Sequence, residues 1–232
     1  MYPYGFGYGL FDSSFVVLIP AIIFAMYAQS KVKSTFHKYL RVSTRKGYTG
    51  YDVARQILDT NGLRDVPVEL VAGHLSDHYD PRKRIIRLSR EVYQGSSIAS
   101  VSVAAHEVGH ALQHANGYVP LSIRNSIYPI ASFGSSAAWL FVIAGFLISP
   151  PLLDVGILLY TAAVLFQVAT LPVEFNASSR AMKLLDANGF ITRDEINGSQ
   201  KVLKAAALTY VAAMATAIAQ LLRLLILRGR RR

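Results

Sequence analysis

The chain has 232 residues, of which 52% are hydrophobic and 16% are charged, and its mean hydropathy is +0.32. This composition excludes an ordinary soluble protein and is typical of a membrane protein, while the lack of cysteine excludes disulfides and thiolate metal sites. The net charge of +10 does not indicate nucleic-acid binding, because the basic residues cluster beside apolar segments, where anchoring at a cytoplasmic membrane surface explains them more simply.

The first apolar run, Phe11 to Ala28, is just long enough to span a bilayer. A secretory signal peptide is rejected, because residues 1–9 contain no Lys or Arg and no small-residue cleavage site follows the run. Basic residues come soon after the run: Lys31, Lys33, Lys38, Arg41, Arg45 and Lys46. By the positive-inside rule they place the N-terminus outside and the next segment in the cytoplasm. We therefore expect a transmembrane helix over residues 1–29.

Residues 30–125 are predicted to form a small cytoplasmic α+β domain. The stretch Tyr51 to Asp59 has helical spacing, whereas Val66 to Ala72 and Arg84 to Leu88 have the composition of strands. The turn residues of Asp80-Pro81-Arg82-Lys83 lie between the two strands and predict a hairpin. The edge of this hairpin is a candidate for holding a peptide as an added strand, and the alternative is a hairpin that only covers the core.

A helix from Ser96 to Asn116 carries the motif His106-Glu107-Val108-Gly109-His110. Two histidines four residues apart on a helix turn toward one point, which suits a zinc ion, and Glu107 between them is placed to take a proton from a water. The alternative is a solvated helix face without metal. The flanking residues are apolar or small and describe a buried helix, where unpaired titratable groups are costly, so zinc binding is the favoured interpretation.

Two further apolar runs, Ser126 to Ser149 and Leu152 to Val173, are joined by a segment without Lys or Arg. They predict a transmembrane hairpin over residues 126–173 that turns outside and returns the chain to the cytoplasmic side. Residues 174–204 are then a cytoplasmic segment, in which a helix ends at Asn188-Gly189. Within it, Thr192 and Glu195 predict a capping box for the next helix.

A catalytic zinc site normally has a third protein ligand, and Glu174 is the strongest candidate. It is the only charge in a segment of apolar or small residues, so it needs a partner. A metzincin-type third histidine is excluded, because Asn116 stands ten residues after His106, and His114 is interpreted as a helix-end histidine. The other acids are less suitable as ligands. Asp154 is expected on the opposite side of the membrane from the two histidines. Asp186, Asp194 and Glu195 lie in a polar stretch, where capping or surface roles are ordinary.

Residues 205–232 are predicted to form a C-terminal membrane helix and a basic tail. The run Ala205 to Leu227 is long enough to cross, but a crossing would place the tail outside, against the positive-inside rule. We expect a crossing because the three earlier topology signals agree. The alternative is a re-entrant or surface helix.

The segments His106 to Ala111 and Leu171 to Ser178, separated by a transmembrane hairpin, resemble the membrane neutral zinc metallopeptidases of the YugP type. They are more distantly similar to the HtpX heat-shock membrane proteases and the CAAX prenyl proteases. In those distant relatives an aspartate often stands four residues after the ligand glutamate. Here that position is Ser178, which leaves Asn176 as a possible substitute for supporting the site.

The resemblance implies one zinc ion per chain held by His106, His110 and Glu174, with Glu107 as the general base. The fold class that follows is a membrane protein, mainly α-helical, with a small α+β zincin-like catalytic domain and about four transmembrane helices. Its expected activity is that of a gluzincin-like zinc metalloendopeptidase in the cell membrane. Its active site would face the cytoplasm, and its substrates would be peptides or membrane proteins.

Two other functions are weighed against this one. A site-2-type intramembrane protease would take its third ligand from an aspartate, and Leu185-Asp186-Ala187-Asn188-Gly189 has a superficially similar setting. A catalytically silent zinc-stabilised scaffold would not need Glu107. The oxyanion-stabilising group is left open among several residues: Tyr79, His74, His78 and Tyr210.

Overall fold

The computed structural model describes residues 13–230 and is mainly helical, with a small three-stranded sheet. After a 3₁₀ helix at Ser13–Leu18, the elements are α1 (Ile19–Leu40), α2 (Gly50–Thr60), β1 (Val68–Val71), β2 (His78–Asp80), β3 (Ile85–Ser89), α3 (Arg90–Tyr93), α4 (Ile98–Ala115), α5 (Val119–Leu147), α6 (Pro150–Ala187) and α7 (Ile196–Gly229). The mainly helical class with a small α+β part is confirmed.

The chain divides into two compact units. The helical unit comprises the described residues of Met1–Ala28, Ile123–Thr170 and Tyr210–Arg232, and the sheet unit comprises Gln29–Ser122 and Leu171–Thr209. The five-segment division predicted from the sequence, with its assignment of segments to membrane sides, stays a prediction.

Four helical stretches are long and apolar enough to cross a membrane, as predicted: Ser13–Leu40, Val119–Leu147, Pro150–Ala187 and Ile196–Gly229. Their ends differ from the predicted ones, since α1 continues beyond Ala28 and α6 continues without a break through Pro172. Hydropathy marks the length of a bilayer crossing and not the end of a helix, which continues as long as its backbone hydrogen bonds do. Three residues of the predicted N-terminal and C-terminal segments lie outside the described residues: Phe11, Arg231 and Arg232.

The end of α7 lies beside the starts of the first and third membrane-length helices. The Arg228 guanidinium pairs with the carboxylate of Asp154, with 3.1 Å between Nη2 and Oδ2. Arg230 Nη2 donates to Ser13 Oγ at 2.7 Å. From Tyr210 to Arg228 a helix rises by about 27 Å at about 1.5 Å per residue, close to the roughly 30 Å of a hydrocarbon core. Ser13 and Asp154 lie at helix ends that the sequence predicts outside the cell. The contacts of Arg228 and Arg230 with them are therefore those expected if α7 crosses the bilayer.

The sheet has β3 at its centre, with β1 parallel to it and β2 antiparallel to it. The predicted pairing of Val66–Ala72 with Arg84–Leu88 as a hairpin is therefore wrong, because those two segments run parallel. The hairpin partner of β3 is the short β2, which was missed because its three residues carry no apolar alternation. The turn at Asp80 is confirmed, since its Oδ1 accepts from the backbone N–H of Arg82 and Lys83.

Local signals fix the helices around this sheet. The predicted helix at Tyr51–Asp59 is confirmed as α2, and a capping box between Thr49 and Asp52 begins it. The predicted box at Thr192 is half formed: Glu195 Oε2 accepts from the Thr192 N–H at 2.8 Å, but the Thr192 hydroxyl donates to Asp194. The second Glu195 oxygen accepts from the Arg45 N–H at 2.8 Å. Helices α2 and α4 pack together over the buried strand β3.

The direction of α7 can be tested with cysteine labelling, because the native chain has no cysteine. We expect a membrane-impermeant maleimide to reach Ser149→Cys and Gly229→Cys from one side of the membrane and Lys201→Cys from the other, since α7 crosses between its two ends. Labelling in intact and permeabilised cells distinguishes the sides. If Lys201→Cys and Gly229→Cys react from the same side, α7 does not cross.

Candidate metal centre

Helix α4 positions three of the predicted site residues. It begins after Ser97, whose Oγ accepts from the Ser100 N–H at 3.1 Å, and it ends at Ala115 with Asn116 as its C-cap. The predicted helix over Ser96 to Asn116 is thus confirmed, and its sides are buried as the apolar flanks indicated. The motif residues His106, Glu107 and His110 therefore stand on a rigid and largely buried helix.

Glu174 of α6 meets the two histidines within the sheet unit. Its Oε2 lies 3.3 Å from His106 Nε2 and 3.6 Å from His110 Nε2. The two Nε2 atoms are 3.2 Å apart, and the ring planes are nearly perpendicular at 87°. Among residues 13–230 these are the only three His, Asp or Glu side chains grouped closely enough to hold a metal ion.

The spacing of these atoms fits a zinc ion. Bonds of roughly 2.0–2.1 Å to a tetrahedral zinc place the ligand atoms about 3.3–3.4 Å from one another, close to the three observed separations. Glu174 is buried, and among residues 13–230 its Oε2 meets no hydrogen-bond donor in good geometry, its neighbours being the two Nε2 atoms. A carboxylate oxygen buried in this way is costly unless a cation compensates for its lost hydration.

The outer ring nitrogens of both histidines have partners. His110 Nδ1 lies 3.0 Å from Gln113 Oε1, and His106 Nδ1 lies 3.2 Å from Ser178 Oγ. Ser178 therefore contacts the site, whereas Asn176, the substitute considered from the sequence, accepts a hydrogen bond from Gln113 and contacts neither histidine through a hydrogen bond that the structure describes. Sequence reasoning missed Gln113. Its burial is visible only in the structure, and the sequence shows no more than its position three residues after His110 on one helix.

Glu107 lies inside the protein with 7% of its surface exposed. Burial raises the pKa of its carboxyl, and the nearby imidazoles of His106 and His110 oppose this only in part. None of the hydrogen bonds described within residues 13–230 involves the Glu107 carboxyl, and its oxygens are not among the fully buried side-chain atoms without a partner. A buried carboxyl with a raised pKa beside two histidines is a candidate for a proton-transfer group.

The remaining candidates have other surroundings. His114 is exposed in the last turn of α4 and contacts the Tyr79 hydroxyl at 2.8 Å, which confirms it as a helix-end histidine. His74 pairs with Glu91 at 2.6 Å. Three further candidates also have partners away from the histidine pair. His78 Nδ1 contacts the Ser76 carbonyl, Asp194 pairs with Arg45, and Asp154 pairs with Arg228. Tyr210 belongs to the helical unit.

The third ligand of a site-2-type protease is not near the histidines. Asp186 is exposed near the end of α6 and does not belong to the group formed by His106, His110 and Glu174. This position speaks against that alternative.

Gly109 allows α4 and α6 to approach each other at the site. A Cβ added at Gly109 would lie 2.7 Å from the carbonyl oxygen of Ala177 and 3.2 Å from its Cα. Gly109 thus makes room for α6, the helix that carries Glu174. Close backbone contact of this kind requires glycine.

Comparison with protein families matches residues 14–229 to the family described as "Putative neutral zinc metallopeptidase". The chain belongs to this family. It is 53% identical over 215 residues to the "Putative membrane protease YugP" of Bacillus subtilis (strain 168), and the match covers 91% of this chain and 96% of that relative. No solved structure is significantly similar. The family predicted from the motifs is confirmed, and with it the class of membrane zinc metallopeptidases.

We expect Gly109→Ala to lower the free energy of unfolding of this metallopeptidase by about 1–3 kcal/mol, because the new methyl group overpacks the contact with Ala177. The same displacement moves Glu174 away from the histidines and weakens zinc binding. Thermal unfolding in detergent and zinc titration against a chelator measure both effects. Gly229→Ala is the control, since nothing lies within 4 Å of a Cβ there. Equal behaviour of the two variants would contradict the role of Gly109.

Proposed function

We propose that this protein is a gluzincin-like zinc metalloendopeptidase with one zinc ion per chain, held by His106, His110 and Glu174. The observation that carries the proposal is the buried Glu174 Oε2, which lies 3.3 Å and 3.6 Å from the two Nε2 atoms and forms no hydrogen bond of good geometry in the described part of the chain. Membership of the zinc metallopeptidase family supports it. The two imidazoles and the carboxylate leave a fourth position open for water and substrate.

When bound, zinc supplies a Lewis acid that polarises the scissile carbonyl and makes a nucleophile available at neutral pH. Glu107 accepts the proton of the attacking water and then donates it to the leaving amine. Its raised pKa suits both steps, because the carboxyl has to gain and lose one proton per turnover. Gln113 and Ser178 hold the imidazole rings so that their Nε2 atoms face Glu174.

We propose that the peptide binds along strand β2, which lies at one edge of the described sheet and packs against α4. Ala111 and His114 follow Glu107 by four and seven residues, so the three lie on one stripe of α4. A cavity of about 210 Å³ opens beside this stripe. Its lining residues are Leu63, Val66, Tyr79, Arg84, Ala111, His114 and Ala115. This volume is below the roughly 300–1,000 Å³ of small-molecule sites and suits one substrate side chain.

The active site is proposed to face the cytoplasm, with the lipid bilayer as the second partner of the chain. The basic residues after the first apolar run support this orientation. Membrane proteins and unfolded segments near the membrane surface are then the accessible substrates. A zinc-stabilised scaffold without activity is less well supported, because a structural site needs no general base and Glu107 has no described hydrogen bond that would explain its burial.

We expect Glu107→Gln to lower the rate of peptide hydrolysis by roughly 10²–10⁴-fold, because the amide cannot accept the proton of the attacking water. Zinc content should stay unchanged, since Glu107 is not a ligand. Cleavage of a membrane-protein or casein substrate and elemental analysis measure the two quantities. Glu69→Gln on the sheet surface is the control. If Glu107→Gln retains full hydrolysis, the catalytic assignment is wrong.

Glu174→Ala should lose both zinc and hydrolysis, because two imidazoles alone leave the ion under-coordinated. The matched control is Asp186→Asn, which changes an exposed acid on the same helix and should leave zinc affinity unchanged. Chelator competition gives the affinity of each variant. A Glu174→Ala protein with native zinc affinity would refute the ligand set, and loss of zinc in Asp186→Asn would favour the site-2-type arrangement.

A further inference from the structure

The outer edge of strand β2 presents the main-chain groups of one residue, Tyr79. The Ile86 N–H donates to the Pro67 carbonyl at 3.0 Å, so the main chain of Ile86 faces β1. Tyr79 lies opposite Ile86. Opposed residues of an antiparallel pair exchange both hydrogen bonds or none, so the N–H and carbonyl of Tyr79 point away from β3. In the part of the chain that the structure describes, no hydrogen bond involves either group.

The residues on either side of Tyr79 do not extend this edge. His78 and Asp80 belong to the two pairs whose main-chain groups face β3. Pro81 follows Asp80 and has no N–H to donate. The regular strand begins at His78, and the Asp77 carboxylate fixes that end by accepting from the Ser89 N–H at 2.7 Å. A bound peptide therefore finds one donor and one acceptor together, both on Tyr79.

The Tyr79 side chain shows which way a paired peptide residue would face. Its hydroxyl contacts His114 Nδ1 at 2.8 Å, so this side chain lies on the α4 face of the sheet. Residues paired across neighbouring strands place their side chains on the same face. A peptide residue paired with Tyr79 would thus direct its own side chain toward α4. There it would meet the cavity lined by Ala111 and His114, on the stripe of α4 that leads to Glu107.

We propose that the main chain of Tyr79 holds the substrate by exchanging two hydrogen bonds with a single residue of an extended, antiparallel peptide. This inference rests on the proposed function, because the contact matters only if a peptide is the substrate. Antiparallel addition gives both bonds to one residue, whereas parallel addition divides them between residues two apart. The substrate class is then an unfolded segment that carries an N–H at the paired residue. Proline is excluded from that position because it has no N–H.

Amide hydrogen exchange at single-residue resolution tests the geometry without any need for activity. In the peptide-free protein the N–H groups of His78 and Asp80 should be protected by their bonds to β3. The N–H of Tyr79 should exchange about 10-fold faster or more, because it faces solvent. Equal exchange at the three amides would overturn the proposal.

The second measurement uses a short peptide taken from around a bond in casein that the native protein cleaves. Its affinity for zinc-loaded Glu107→Gln is measured by fluorescence anisotropy while one amide N–H at a time is replaced by an ester oxygen. We expect one position to lose affinity by about 3–10-fold and its two neighbours to behave as the parent peptide, because their N–H groups point away from β2. Peptide binding should also slow exchange of the Tyr79 N–H.

The residue whose N–H matters should also be the one at which side-chain size changes affinity most, since its side chain points into the cavity. Sensitivity to the two changes at different residues would overturn the antiparallel pairing with one residue. Unchanged exchange of the Tyr79 N–H in the complex would overturn the role of Tyr79 itself.

Proline variants test the same N–H from the protein side. Tyr79→Pro is compared with Tyr79→Ala, which loses the same side chain but keeps the N–H. We expect KM to be about 3–10-fold higher in Tyr79→Pro, with similar kcat and zinc content. The control pair is Leu70→Pro and Leu70→Ala, because Leu70 lies on the other edge strand and its N–H also points outward. That pair should have equal KM values.

Equal KM values for Tyr79→Pro and Tyr79→Ala would overturn the proposal. If Tyr79→Pro does not fold, the exchange and ester measurements on the other proteins decide. Failure of the proposed function appears separately, as absence of hydrolysis by the native zinc-loaded protein, and this inference then falls with it.

Discussion

The burial of the Glu174 carboxylate is the constraint on which the rest of the site depends. A charge removed from water needs compensation, and the groups facing its Oε2 are two imidazole nitrogens that are themselves neutral in their metal-binding form. A cation bound between the three side chains would supply that compensation. Two contacts between α4 and α6 hold this carboxylate beside the rings. Gly109 lets α4 lie against Ala177, and Gln113 donates to the Val173 carbonyl directly beside Glu174. Loss of either contact would separate the carboxylate from the rings.

The parts of this site that the sequence predicted are those governed by local geometry. His106 and His110 lie together because residues four apart on a helix share a face, whatever the remaining chain does. Glu174 was identifiable from a different physical signal, an isolated charge among apolar and small residues. Gln113 has neither signal, because a buried amide resembles a polar surface residue until its neighbours are known. Its partners come from α6, sixty residues later.

The sheet was predicted less well, for reasons that also concern distance along the chain. The segment at Val68–Val71 has a strand composition, but composition does not determine whether a strand pairs in parallel or antiparallel orientation. In the structure it pairs with β3 in parallel. Strand β2 has only three residues, too few for an alternating pattern to appear. The helix predicted to end at Asn188-Gly189 is confirmed, and in the structure it forms one unbroken helix with the apolar run before it. Pro172 lies inside this helix, two residues before Glu174.

Charge balance explains why neutral side chains support both histidines. Zinc would bring two positive charges into a buried site that already holds the carboxylates of Glu174 and Glu107, so the centre is neutral when both are ionised. An acid at position 178 or at position 113 would add a further negative charge to that buried centre. Ser178 and Gln113 bind the rings without adding charge.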